Sequence, residues 1–317
     1  MRALDLSALA EAAPPEVAAF NARLAETLAG LPMAHEVPAP VTRAAREKGG
    51  GVFPAGGPLD GSEWLDIPGA PGGPGRVRVS RPGGAPRGVL LHVHGGGWTF
   101  GAADHYDRWN QALARESGFA VVSAAYRLAP EHPWPAGRDD VLAAAGWLLG
   151  AARERFGTER LAIGGESAGA HLSAVALQAL GPEAARFSAA ILTYGMFDLR
   201  MAPGVVAAGG GALIVPTPPI EWFLDNLTAG DRSLRADPSL SPLLAPVGDF
   251  PPTLLICGTA DPLRDDTLLM AARLAEAGVA VETALFPGGV HGFDQFDHPQ
   301  AAEAAALKAA FLSRAAA

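Results

Sequence analysis

Cysteine is almost missing from this chain: Cys257 stands alone among 317 residues. One thiol can neither close an intrachain disulfide nor build a thiolate metal cluster, so nothing demands an oxidising compartment and Cys257 reads as packing. Long apolar runs are missing too, since none reaches the roughly 20 residues of a membrane span. The first twenty residues carry Asp5, Glu11 and Glu16 among alanines and prolines, which interrupts the apolar core of a signal peptide. The expected location is the cytoplasm. Positive charge is scarce, with 24 Lys and Arg against 33 Asp and Glu, a net charge of -9. The basic residues are scattered, with no stripe of the kind that binds a phosphate backbone, so nucleic acid is not an expected partner. Charged residues are only 18% of the chain while 49% are hydrophobic. That balance excludes disorder as the overall state and supplies a sizeable core, in one large domain or two small ones.

What is present has a clear order. Up to about Met33, apolar positions such as Val17, Phe20, Leu24 and Leu28 alternate with polar ones in the manner of one or two amphipathic helices, a flap rather than a core element. From Gly49 to Gly75 glycine and proline dominate, leaving room for an edge hairpin of Trp64–Ile67 with Arg76–Ser80. After Pro86, short apolar runs alternate with helical stretches. Strands are expected at Gly88–Val93, Ala120–Ala125, Leu161–Ile163, Ala189–Thr193, Thr253–Cys257 and Val279–Phe286. Helices are expected at Asp139–Phe156, Ala168–Leu180, Thr267–Ala277 and from about Gln300 onward. This alternation predicts an α/β fold with a mostly parallel central sheet flanked by helices. It lapses between about residues 198 and 250, where one helical piece near Ile220–Leu227 sits in glycine- and proline-rich chain, as in an insertion over the carboxyl edge of the sheet.

The strongest chemical signal is Gly165-Glu166-Ser167-Ala168-Gly169, between a strand and a helix, the context of a nucleophile elbow. Upstream, His94-Gly95-Gly96-Gly97-Trp98 ends a strand. Consecutive glycines let backbone N–H groups converge on one point, which together with the N–H of Ala168 suits a tetrahedral oxyanion. A phosphate nest is disfavoured because the Gly-x-x-x-x-Gly-Lys pattern is missing. His94 is read as a prop for the loop, and Trp98 as a wall of an acyl pocket or, nearly as often for an aromatic after a glycine loop, a core residue. A serine nucleophile needs a base and an orienting acid. His291 follows the last strand and is preferred as base over His132, His171 and His298, none of which follows a strand at the right place. Asp261 follows the strand before it and is preferred over Asp265 and Asp266, which fall in the first turn of a helix, where the helix dipole favours carboxylates anyway. Neither metal nor cofactor is called for.

With these motifs in place, and with Tyr126-Arg-Leu-Ala-Pro-Glu-His-Pro-Trp-Pro-Ala136, Asp261-Pro-Leu263 and His291-Gly-Phe293, the sequence from about residue 60 to 314 resembles the bacterial hormone-sensitive-lipase-like carboxylesterases (family IV) of the α/β-hydrolase fold. The resemblance implies a serine esterase with Ser167 as nucleophile, His291 as base and Asp261 as acid. It implies an oxyanion hole from Gly96, Gly97 and Ala168, with Gly95 as an alternative to Gly97, and a structural hydrogen bond for Glu166. It also implies N-terminal cap helices in residues 1–48, a catalytic domain in 49–317, and a cap insertion at about 198–250. Gly204–Pro219 aligns with nothing in the family. The resemblance to members with small caps implies short acyl groups, of about two to eight carbons, and no apolar lid helix suited to an oil surface is seen. Two rivals stand beside this reading: an amidase of the arylformamidase type, with the same triad order, and a non-catalytic receptor like the gibberellin receptor, in which the histidine is lost. The strand Val279–Phe286 is a candidate edge for a homodimer.

Overall fold

The computed structural model describes residues 6–315; residues 1–5 and 316–317, the outer ends of the expected cap segment and catalytic domain, with Asp5 of the signal-peptide argument, lie outside the described residues. The sheet has eight strands. In chain order they are β1 (Ser62–Asp66), β2 (Arg76–Ser80), β3 (Gly88–Val93), β4 (Phe119–Ala124), β5 (Leu161–Glu166), β6 (Phe187–Thr193), β7 (Thr253–Gly258) and β8 (Val281–Phe286). Their spatial order is β1-β2-β4-β3-β5-β6-β7-β8. The β1–β2 and β2–β4 pairings are antiparallel and all the others are parallel. The hairpin begins two residues earlier than expected, because Ser62 pairs with Ser80 and their hydroxyls meet at 2.7 Å. Val279 falls outside β8: its N–H bonds to the carbonyl of Leu274 and closes the preceding helix.

Among the described residues nine α-helices accompany this sheet: α1 (Pro15–Ala29), α2 (Ala39–Glu47), α3 (Asp107–Ser117), α4 (Ala136–Phe156), α5 (Ala168–Leu180), α6 (Pro203–Ala208), α7 (Thr217–Thr228), α8 (Arg264–Glu276) and α9 (Ala301–Ala315). Side chains alternate across a strand. Val89, Leu91 and Val93 of β3 accordingly join one core with Val141 and Leu148 of α4, Leu172 of α5 and Leu274 of α8. Leu90, one residue off, joins the other core with Ala114 of α3 and Phe311 and Leu312 of α9. Central strands buried on both faces read as unbroken apolar runs, which is why β3 and β4 stand out in the sequence.

The elements that do not fit the sheet pattern gather at its carboxyl edge. Helices α1 and α2 come from the N-terminal region, and α6 and α7 from the segment between β6 and β7. The turn Ala34–Glu36 packs on α7, so the two segments touch. Asp265 and Asp266 anchor the second one: Asp265 accepts from the Gly204 N–H at 2.8 Å, and Asp266 accepts from the N–H groups of Phe197 and Asp198 at 2.7 and 2.8 Å. Among the described residues, no helix is long and apolar enough to cross a membrane.

Candidate active site

Ser167 sits at the sharp turn between β5 and α5 with φ 56° and ψ −120°, a strained geometry for a residue with a side chain. The flanking glycines make the turn possible. A Cβ on either Gly165 or Gly169 would collide with the carbonyl oxygen of Val93, the last residue of β3. That close approach also brings the glycine loop after β3 alongside the serine: a Cβ on Gly95 would lie 3.4 Å from the Ser167 Cβ.

The two later strand ends deliver the partners. His291 Nδ1 donates to Asp261 Oδ2 at 2.8 Å, and its Nε2 accepts from Ser167 Oγ at 2.9 Å. The other Asp261 oxygen accepts from the Leu263 N–H at 2.8 Å. Asp261 and His291 are both buried, so this carboxylate faces no competing water. The loops carrying them are tied together by the Gly288 N–H on Thr259 Oγ1 at 2.8 Å and the Ala260 N–H on the Gly289 carbonyl at 3.0 Å. With Nδ1 held as donor, Nε2 is left as the acceptor a general base needs.

The N–H groups of Gly96, Gly97 and Ala168 donate to no other group among the described residues, whereas the Gly95 N–H is taken by the Tyr106 hydroxyl at 3.1 Å. Of the four donors considered from sequence, Gly95 is therefore the one already engaged. Beneath the loop, His94 donates from Nδ1 to the Gly95 carbonyl at 2.9 Å and stacks on Tyr126, whose hydroxyl donates to the His94 carbonyl. Burial pushes the His94 pKa down to about 3. Trp98 is corrected: it does not line the cavity above Ser167. Its indole is buried and donates to His171 Nδ1 at 3.0 Å, because the loop turns it inward under the glycines. His171 in turn donates from Nε2 to the Leu240 carbonyl at 2.7 Å, and burial lowers its pKa to about 4. His298 packs on Phe20 and Phe293, and His132 is exposed; neither approaches Ser167.

Glu166 belongs to a buried network that sequence reasoning did not find. It accepts from His92 Nε2 at 2.8 Å and from Lys308 Nζ at 3.0 Å. Lys308 also reaches Asp294 at 2.8 Å, and Asp294 accepts from the Tyr194 hydroxyl. The Tyr194 ring packs edge-on to His291 with centroids 4.7 Å apart. Burial alone would raise the pKa of Glu166, yet the cation of Lys308 and the His92 contact hold it at about 2. Lys308 is likewise desolvated, and the two carboxylates keep its pKa above the ordinary value. One signal was available: Lys308 is one of two lysines against 22 arginines. A lysine placed in an alanine-rich helix of such a chain marks a position with a specific partner.

Ser167 and His291 open into a cavity of about 680 Å³. Its walls come from α1, α2 and the chain after them, from the glycine loop, and from residues 210–223. The lining is mainly apolar, as in pockets for small organic ligands. Among the described residues no cluster of His, Cys, Asp or Glu is arranged to hold a metal ion.

Comparison with known proteins agrees with this geometry. Residues 90–295 match the family described as alpha/beta hydrolase fold. The carboxylic ester hydrolase LipN of Mycobacterium tuberculosis is 37% identical over 72% of this chain and 63% of its own length. The ethyl acetate hydrolase of Pseudomonas putida is 35% identical over 65% of each. Carboxylesterase NlhH of M. tuberculosis is 36% identical over 72% of this chain and 73% of its own. The chain thus spans about two thirds of the length of these relatives. Among solved structures, a hyperthermophilic esterase from the archaeon Pyrobaculum calidifontis superposes with a TM-score of 0.85 at 29% identity, covering 97% of this chain and all of that one. An α/β-hydrolase enzyme from the metagenome of Lake Arreo gives 0.83 at 31% identity, covering 95% and 98%. The fold, the ordered motifs and these likenesses converge on one statement of kinship: the chain belongs to the α/β-hydrolase fold family, in its hormone-sensitive-lipase-like branch.

Proposed function

We propose that this protein is a carboxylesterase that hydrolyses small, short-acyl esters through an acyl-enzyme on Ser167. The observation that carries the reading is the unbroken line from Ser167 Oγ through His291 to Asp261, with links of 2.9 and 2.8 Å, opening on an apolar cavity of about 680 Å³. Its likeness to proteins named carboxylesterase and ethyl acetate hydrolase supports the same reaction class. In the first step Ser167 Oγ attacks the ester carbonyl while His291 Nε2 takes its proton, and Asp261 stabilises the imidazolium. The oxyanion is received by the N–H groups of Gly96, Gly97 and Ala168. His291 then returns the proton to the leaving alcohol, and water repeats the sequence on the acyl-enzyme. Glu166 takes no proton in this scheme, because its carboxylate is committed to His92 and Lys308.

The test is turnover of p-nitrophenyl esters from acetate to palmitate by the wild-type protein and the Ser167→Ala variant. Turnover should peak at short chains and fall by about 10⁴-fold or more in the variant, because one member of a triad acts only within the unit. A folded variant retaining wild-type rates would remove Ser167 from the mechanism. We also propose that the open side of β8, the terminal strand of the sheet, pairs with a second copy of the chain. A monomeric elution volume in gel filtration would dismiss the dimer.

A further inference from the structure

Two arginines of α2 stand one turn apart and meet opposite fates. Arg43 uses three of its donors: Nε donates to the Thr99 carbonyl at 2.7 Å, and Nη2 donates to the Ala129 carbonyl at 2.6 Å and to Glu131 at 2.8 Å. These bonds pin α2 against the chain that follows the glycine loop. The side chain of Arg46, one turn on, makes neither a hydrogen bond nor an ion pair among the described residues, although it forms part of the cavity wall. Its guanidinium lies over the ring of Phe100, 4.8 Å from the centroid, and 5.8 Å from that of Phe53. Glu36 is the only acidic side chain on that wall among the described residues, and it is occupied by the Met33 N–H at 2.7 Å.

A guanidinium stays charged at any working pH and carries five donors. Two aromatic faces offset part of its lost hydration, but they accept none of its N–H bonds. In an otherwise apolar cavity this leaves a cation with its hydrogen-bonding fork unused, and burial already pulls its pKa below the ordinary value. The complement of that fork is a planar anion that takes two parallel bonds. A phosphate would call for more than one free cationic partner, and Arg43, one turn away, is committed to Thr99, Ala129 and Glu131, so the single fork favours a carboxylate. The net charge of -9 supplies no long-range attraction for anions, which places the recognition at this one side chain. Phe100 lies between Arg46 and the glycine loop, its N–H bonding the Gly96 carbonyl at 2.8 Å. The anion would therefore sit one aromatic ring away from the reacting carbonyl.

We propose that Arg46 selects esters whose remote end carries a carboxylate, such as half-esters of dicarboxylic acids or esters of hydroxy acids, a substrate class that rests on the esterase reading above. The kinetic test compares matched pairs: mono-p-nitrophenyl esters of glutaric, adipic and pimelic acid against neutral p-nitrophenyl esters of equal chain length, and 4-acetoxybenzoate against 4-acetoxybenzamide. The first series places the charge on the acyl side and the second on the alcohol side. In at least one pair, the ratio of kcat/KM for the anionic over the neutral ester should fall about ten- to a hundred-fold on Arg46→Met, chiefly through KM, with Arg46→Lys recovering part of it. A ratio that is the same in wild type and Arg46→Met for every pair overturns the proposal while leaving the esterase reading intact. Binding gives a readout without turnover: calorimetric titration of 4-phenylbutyrate and of its neutral amide into Ser167→Ala, with and without Arg46→Met. The acid should bind about tenfold or more tightly than the amide only while Arg46 is present. Equal affinities of acid and amide for Ser167→Ala would overturn the proposal even if no ester were turned over.

Discussion

Beneath the cavity, the polar groups around Ser167 are buried or nearly so and are bonded: His291 to Asp261, Glu166 to His92 and Lys308, Asp294 to Lys308 and Tyr194. The roof is built differently. Among the described residues, six of the nine large apolar side chains that stay exposed, Leu6, Leu9, Leu31, Met33, Val41 and Val206, belong to the N-terminal region or to the insertion between β6 and β7. Its polar ties to the floor are concentrated at Arg43 and at Asp265 and Asp266, with Asn21 adding one bond to the Gly288 carbonyl. A floor whose buried charges are mutually satisfied has one low-energy arrangement, because any change of partner strands an ion in low dielectric. A roof resting on small apolar contacts can shift at little cost. Chemistry that needs fixed atoms belongs on the first, and selectivity that varies with the ester belongs on the second.

The sharpest way to break the floor is to remove its cation. In Lys308→Met, Glu166 and Asp294 lose their shared counter-charge while remaining largely screened from water. Loss of one partner from such a group should lower stability by roughly 3–5 kcal/mol, read as a drop in the denaturant midpoint. Exposed Arg314, paired with Glu282, is the control, and Arg314→Ala should cost under about 1 kcal/mol. The pH dependence has a definite sign. The pKa of Glu166 is depressed in the folded protein, from 4.5 to about 2, so its contribution is fully present above pH 4.5 and disappears as pH falls towards 2. Without Lys308 that depression shrinks, and acid unfolding of the variant should begin at higher pH than in wild type. Coincident acid transitions in the two proteins would show that Lys308 does not hold the Glu166 charge.

This same division explains what was legible in the sequence. The sheet was readable because strands buried on both faces leave unbroken apolar runs; the ends of β1, β4, β5, β6, β7, β8, α4 and α8 moved by one to three residues, and α3 was not foreseen. Ser167, Asp261 and His291 were readable as candidates because each follows a strand, and strand ends converge on one edge of a parallel sheet. The Glu166 network was not, since Lys308 lies 142 residues from Glu166 in sequence and nothing in helical periodicity says which strand end a helix will face. Trp98 misled for a related reason. Its position after the glycines was visible, but the turn that directs its indole to His171 depends on positive φ at Gly96, Gly97 and Trp98 itself. Residues 204–219 stayed opaque because the bonds that hold them, such as the Gly204 N–H on Asp265 and the Thr217 hydroxyl on the Val205 carbonyl, use backbone groups that leave no motif.

The roof can be loosened separately, at a smaller cost. Arg43→Met keeps an apolar stem on α2 but deletes the three bonds that fix the helix to Thr99, Ala129 and Glu131. Because the arginine is partly exposed and Glu131 more so, the expected loss of stability is only about 1–2 kcal/mol. No group within bonding distance of Ser167 Oγ is touched. The consequence should appear in KM, raised several-fold for short esters as the wall of the cavity loses its fixed position, while kcat stays within about a factor of two. Steady-state kinetics on p-nitrophenyl butyrate separates the outcomes. A collapse of kcat at unchanged KM would mean that α2 supports the transition state directly, and the mechanical separation of roof from floor would have to be abandoned.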